Sequence, residues 1–326
     1  MRSKIELRTV EDVQLGTPVH ENWQKMAVAA GMPKPRILCA TDLTPRSDGA
    51  MQRAALLARQ MNAEVHFVHA LNDKLAGRVL RSKVNRASTR LASHSRHLMQ
   101  HAPESVTAEV QLGPPVEIVI AAAREYNPDL IVIARPKRRR LDAMLGTTAE
   151  RIIRATGCSV LLVGNAVEKP YERAVLATDL SSTSAHVTRT AVNMGMLKNA
   201  QTWVVHAFGL PYHDIATADN FDPTDSVSAK AIWHSAARRN VMRSLQEAGI
   251  DPSRVHISTE LARPLTAIRR VVDEARPELL VIGVSRWLAL KRVLVGSVAH
   301  QVFRGVHCDV LAIAPPPAER TWLYAA

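Results

Sequence analysis

The chain repeats itself once, and that duplication constrains the fold more than any other feature. Arg36-Ile-Leu-Cys-Ala-Thr-Asp42-Leu-Thr44 is matched by Ala174-Val-Leu-Ala-Thr-Asp179-Leu-Ser181. Val65-His-Phe-Val-His69-Ala70 is echoed by Trp203-Val-Val-His206-Ala207, and Asn127-Pro-Asp-Leu-Ile-Val-Ile-Ala134 by Arg276-Pro-Glu-Leu-Leu-Val-Ile-Gly283. Gly157-Cys158-Ser-Val-Leu-Leu-Val163 and His307-Cys308-Asp-Val-Leu-Ala-Ile313 close the series in the same order. The offset is 137 residues at the two aspartates and 150 at the two cysteines, so the second copy holds about 13 extra residues, assigned to the stretch from Gly209 to Asp225. A repeat of about 140 residues is a duplicated domain, not a solenoid unit.

Within each copy, short β-branched runs alternate with longer stretches of helical period. Leu80, Val84, Ala87, Leu91 and Leu98 share one helix face, as do Ala54, Leu57, Ala58 and Met61. Ile118, Ile120, Ala121 and Ala122 form a shorter stripe before the next strand. Alternating strands and helices imply parallel strands joined by crossover helices. The unbroken apolar runs Leu130 to Ile133 and Leu279 to Ile282 suit strands buried on both faces. The expected fold class is therefore α/β: two tandem, open, mostly parallel five-stranded sheets flanked by helices. The expected division is an extension over 1–34, a first domain over 35–166 and a second over 170–318. The boundary falls near Gly164 to Pro170, where a strand runs into Gly, Asn, Glu, Lys and Pro.

Composition narrows the partners. Of 326 residues 47% are hydrophobic, enough for two domains to bury their own cores. No apolar run approaches the roughly 20 residues that cross a bilayer, and Met1 to Val10 carries Arg2, Lys4, Glu6 and Arg8 where a leader would be apolar. A cytoplasmic protein without membrane contact is expected. Three widely spaced cysteines, Cys39, Cys158 and Cys308, read as small core residues and not as a disulfide or zinc framework. The balance of 42 Lys+Arg against 30 Asp+Glu favours anionic partners without choosing among nucleotides, nucleic acid and acidic surfaces.

Two elements of each copy carry chemistry. Asp42 and Asp179 follow a strand and precede a Ser/Thr-bearing helix start. A carboxylate there either accepts hydrogen bonds from ribose hydroxyls or an adenine amine, or caps the helix; duplication copies caps as readily as sites, so both readings stand. The second element is Gly283-Val-Ser-Arg286, nine residues, then Gly296-Ser297-Val298, with apolar Val302 and Phe303 beyond. Glycine lets the backbone approach phosphate, and helix N-terminal amides with a serine hydroxyl bind its oxygens.

With these motifs in place, the chain resembles the universal stress protein family, whose nucleotide-binding branch carries G-x-x-G, nine residues, then G-[ST], with an aspartate after the first strand. The second copy looks like that pattern with Arg286 in place of the second glycine. The first departs further: Ala134 and Lys137 stand for the two glycines, and eight residues separate Lys137 from Gly146-Thr147. The resemblance covers 36–164 and 173–315. It implies an adenosine-nucleotide fold in which Asp179 contacts ribose, Ala207 lies near adenine, and Gly283, Gly296, Ser297 and Val298 hold phosphate, with magnesium only as the companion of the nucleotide. Asp42, Gly146 and Thr147 are the weaker counterparts. Arg286 either blocks close approach or pairs with phosphate itself, since guanidinium suits phosphate geometry. The resemblance further implies that the last strands, Cys158 to Val163 and Cys308 to Ile313, meet edge to edge. One chain satisfies this as a pseudo-dimer, or two chains do so as a homodimer.

Other signals are plainer. From Lys74 to Pro103 there are seven basic residues (Lys74, Arg78, Arg81, Lys83, Arg86, Arg90 and Arg96) and no acid. Arg135, Lys137, Arg138, Arg139 and Arg140 form a second cluster. Each reads as a solvated face or as an anion or nucleic-acid surface, though aromatic residues, 4% of the chain, do not interleave them as stacking on single strands requires. His69 and His206 end equivalent strands and read as packing residues; His94, His97 and His101 share a wet helix face, so no metal is expected. There is no nucleophile elbow, no lysine-bearing phosphate loop and no Ser-Gly-Gly-x-Asp-Ser segment. The expected function is a non-enzymatic stress-response protein that binds ATP or a related adenine nucleotide through its second copy and answers to an unidentified protein partner. The alternative is a nucleotide-free scaffold acting on protein or nucleic acid through its basic first domain.

Overall fold

The computed structural model describes residues 33–71, 77–102, 105–135, 148–164, 169–209, 227–284, 286–287, 292–293 and 297–315. The extension over 1–32 and most of the insertion after Gly209 lie outside the described residues.

The first half runs β1 (Arg36–Thr41), α1 (Pro45–Met61), β2 (Glu64–Leu71), α2 (Gly77–Leu98), β3 (Val106–Leu112), α3 (Pro115–Tyr126), β4 (Leu130–Ala134), α4 (Thr148–Thr156) and β5 (Ser159–Val163). The second runs β6 (Arg173–Thr178), α5 (Ser182–Asn193), β7 (Gln201–Phe208), α6 (Val227–Glu247), β8 (His256–Leu261), α7 (Pro264–Ala275), β9 (Leu279–Gly283), the short pair β10 (Arg286–Trp287) and β11 (Arg292–Val293), α8 (Ser297–Gly305) and β12 (Asp309–Ile313). The ten long strands form one sheet in the order β3-β2-β1-β4-β5-β12-β9-β6-β7-β8. Each half thus supplies five parallel strands, and strand order reverses beside β1 and β6, where β4 and β9 pair on the opposite side from β2 and β7.

Period-two alternation sends neighbouring residues of one strand to opposite cores. Ile37, Cys39, Leu130 and Val132 join the core under α1 and α2; Leu38, Ile131 and Ile133 join the one under α3 and α4. Both faces are covered, which is why the strands read as unbroken apolar runs. Proline opens α1, α3 and α7, where its missing N–H costs nothing. Helix α3 turns differently from its sequence stripe: it buries Val119, Ala122 and Ala123, while Ile118 and Ile120 are only half-buried and Ala121 is exposed. The apolar positions at spacings of one to three were too few to orient so short a helix.

The two halves meet along β5 and β12, which pair antiparallel with Leu161 opposite Leu311, and Leu162 and Val160 opposite Val310 and Ala312. Cys39 and Cys308 are buried and Cys158 half-buried, all with free thiols, and burial pushes the Cys308 thiol up to about 11.

Candidate functional site

Strand β6 ends at Thr178, and the chain must turn at once to enter α5. Leu180 does so in the left-handed region (φ 56°), as Leu43 does at the same place in the first half (φ 56°). A bulky residue is disfavoured there, and local bonds hold it: Leu180 N donates to Thr178 Oγ1 (3.2 Å), Leu43 N to Thr41 Oγ1 (3.0 Å). Asp179 Oδ1 then accepts from Ser181 N (3.0 Å) and Ser184 Oγ (2.6 Å), and Asp42 Oδ1 from Thr44 N (3.0 Å) and Thr44 Oγ1 (2.5 Å). The N-cap residues are Ser181 and Thr44, so the aspartates brace the turn two residues earlier than a cap would. Burial raises the Asp179 carboxyl, but the hydrogen bonds from Ser181 and Ser184 outweigh it and hold the group below the ordinary carboxylate range. Asp179 is therefore a carboxylate at neutral pH, with Oδ2 and spare lone pairs left to accept further donors.

This turn forms one rim of a cavity of about 320 Å³ at the carboxyl ends of the second half's strands. Its floor is apolar, made by Ala177, Val205, Ala207 and Ile282, and Pro264 and Ile268 close one side from α7. Polar groups gather at the mouth: Asp179, Ser181, Thr183 and Ser184 on one side, Ser297 at the start of α8 on the other. Gly283 and Val298 also line it. An apolar chamber with a few converging polar groups beside a reversal of strand order is the usual form of a small-molecule site.

The structure thus brings together Asp179, Ala207, Gly283, Ser297 and Val298. Arg286 is described only as backbone, in the antiparallel pair that sets Trp287 opposite Arg292. Gly296, Gly146, Thr147 and Lys137 lie outside the described residues. Pro264, Ile268, Thr183 and Ser184 line the cavity without having been anticipated; Ser184 carried a signal, since Ser47 stands at the same step after Asp42.

The first half has a smaller counterpart of about 210 Å³, lined by Asp42, Ser47, Ala70, Ala134 and Thr148. Arg46 stands there for Thr183, and Arg135 for Val284. Arg135 is not part of a solvated basic cluster: its guanidinium donates to the carbonyls of Val306 and Cys308 in the other half. His206 Nδ1 donates to Thr178 O (3.0 Å) and His69 Nδ1 to Thr41 O (2.8 Å), so both histidines tie neighbouring strands together. Among the described residues no group of three His, Cys, Asp or Glu is placed to hold a metal ion, and no helix is long and apolar enough to cross a membrane.

Gly283 answers to packing as well as to a ligand. A methyl group there would lie 2.9 Å from Val187 Cγ2, a stiff and buried side chain. In the first half the equivalent positions hold Ala134 and the smaller Ala50, and Ala134 packs against the buried cluster to which Ala50 belongs. Gly283→Ala should cost about 1–3 kcal/mol by overpacking, and Val187→Ala in the same chain should recover part of it; urea unfolding of the three variants measures this.

The comparisons with known proteins agree with this architecture. The model of the universal stress protein family matches twice, over residues 35–164 and 170–314. A universal stress protein of Methanocaldococcus jannaschii is 23% identical over 153 residues, covering 47% of this chain and 87% of the relative. Universal stress protein E of Photorhabdus laumondii is 24% identical over 213 residues, covering 62% of this chain and 66% of its own length. Among solved structures, a universal stress protein from Archaeoglobus fulgidus superposes with a TM-score of 0.60 at 17% identity, over 88% of this chain and 98% of that one.

Proposed function

The chain belongs to the universal stress protein family, as a tandem of two such units, and from that premise we propose that its second half binds ATP or a related adenine nucleotide without turning it over. The observation that carries this reading is the chamber of about 320 Å³ with an ionised Asp179 on one rim and the start of α8 on the other. The apolar floor suits a purine, the carboxylate suits ribose hydroxyls, and α8 meets the chain with unpaired N–H groups that favour phosphate. Arg286 then acts as a phosphate partner or as a plug. We further read the halves as domains over 35–166 and 170–318, acting in the cytoplasm on a protein partner. Calorimetric titration of ATP into the full chain tests the site: saturable binding weakened by Asp179→Ala supports it, and absent binding, or binding that the variant leaves unchanged, refutes it.

A second reading rests on α2, where Arg78, Arg81, Lys83, Arg86, Arg90 and Arg96 are all exposed and the helix carries no acid. Such a face fits a polyanion such as duplex nucleic acid. Binding of a duplex fragment should then weaken steeply as salt is raised, and Arg86→Ala with Arg90→Ala should flatten the log–log slope by about 2. A slope near zero in the native chain rejects this reading.

A further inference from the structure

The seam between the halves is symmetric in its backbone and asymmetric in its charges. Leu161 and Leu311 occupy equivalent positions of the two copies and face each other, so a pseudo-twofold axis passes through that pair. Gly164 N donates to Asp309 Oδ1 (2.8 Å), and across the axis Ala314 N donates to Ser159 Oγ (3.2 Å) in the mirrored position. These apolar and backbone contacts would form equally well between two first halves or two second halves.

The polar side chains would not. Glu150 and His300 are equivalent residues, 150 positions apart, and they meet across the axis at 2.6 Å (Nδ1 to Oε1) with Glu150 only 1% exposed. Two first halves would set Glu150 against Glu150, and two second halves His300 against His300. Arg53 of α1 lies 3.6 Å from Asp309 of β12, both buried. Their equivalents are neutral, Thr190 for Arg53 and Ser159 for Asp309. Like pairing would therefore bury Arg53 opposite a serine or Asp309 opposite a threonine, each without its counter-charge. Arg135 has no basic equivalent either; Val284 holds its place, and each donates its backbone N–H to the last strand of its own half (Arg135 to Val163 O, 2.8 Å; Val284 to Ile313 O, 2.9 Å).

We infer that the β5–β12 edge is a hetero-pairing surface: each half accepts the complementary half of this chain and rejects a second copy of itself. Charges that repel or lie unpaired in every wrong pairing, while the right one satisfies them, are how interfaces gain specificity that apolar contact cannot supply. The duplicated edge, left exposed, would otherwise invite strand addition.

Two experiments on the full chain, with Cys158→Ser and Cys308→Ser, decide the matter. Leu161→Cys alone would place two thiols opposite each other in any seam between two first halves. Under oxidation it should stay a single-chain species, whereas Leu161→Cys with Leu311→Cys should close a bond within one chain. A covalent two-chain product from Leu161→Cys alone overturns the inference. Second, Glu150→His and His300→Glu should each speed hydrogen exchange at Val160–Leu162 and Val310–Ala312 by about tenfold or more, and the double exchange should return it to within about threefold of the native chain. A double variant that exchanges as fast as the worse single one, whether through an open seam or a failed fold, also overturns it.

Discussion

Asp309→Ala should destabilise the chain by about 3–5 kcal/mol, the usual cost of stranding one member of a buried ion pair. Asp309 Oδ2 accepts from Tyr171 Oη (2.9 Å) and faces Arg53 Nε, while Oδ1 takes Gly164 N. The Arg53 guanidinium stacks 3.8 Å from the Tyr171 ring centre and gives Nη1 to Lys169 O (3.0 Å). Removing the carboxylate leaves the guanidinium buried against a ring and one carbonyl, and leaves Tyr171 Oη without its acceptor. Arg53→Met combined with Asp309→Asn should recover most of the loss, because an apolar stem over the ring needs no counter-charge. Urea midpoints of the native, single and double variants give the answer, and a double variant no better than Asp309→Ala would contradict it. Burial holds the Asp309 carboxyl above its usual range, against the opposing pull of Gly164, Tyr171 and Arg53. A raised folded pKa contributes stability that is complete below the unfolded value of about 3.9 and is lost as pH rises through the folded one. The native chain should therefore lose some seam stability on going from acid toward neutral pH, and Asp309→Asn should remove that part of the slope.

Asp179→Ala should weaken ATP binding by about 10- to 100-fold, corresponding to about 1.5–3 kcal/mol for hydrogen bonds to a charged acceptor. The carboxylate is ionised and held in place by Ser181 and Ser184, so it accepts ribose hydroxyls without rearranging. The change also frees the Ser184 hydroxyl and loosens the turn at Leu180, so Asp179→Asn serves as a second variant. It keeps the shape and one acceptor oxygen, and should bind between the native chain and alanine. Because the folded pKa is depressed, this contribution is present above about pH 3.9 and is lost as pH falls through the folded value. Binding that depended on pH between 6 and 8 would point to another group.

The duplication was legible because it repeats chemistry at fixed order: Thr-Asp-Leu at the end of β1 and β6, Pro-Asp or Pro-Glu before β4 and β9, cysteine before β5 and β12. Unbroken apolar runs announced strands covered on both faces, and Asp179, Ala207, Gly283, Ser297 and Val298 do converge on one cavity. The sequence was less informative about clearances. Gly283 looked like a ligand glycine alone, yet Val187 leaves no room for a methyl group there. Arg135 looked like one of five basic residues in a loop, yet it is bound to carbonyls 171 and 173 positions away.

What the sequence determined by itself is the local order: which segments become strands or helices, that each half is an α/β unit, and which residues stand at strand ends. Those properties follow from periodicity and from interactions over a few positions. The edge along which the halves pair was implied by the family resemblance; the tertiary structure alone decided which charges they share across it. Glu150 and His300, Arg53 and Asp309 are far apart along the chain, and no pattern in the sequence couples them. They become partners only when closing the two sheets into one removes water from the seam and makes each buried charge depend on the residue that faces it.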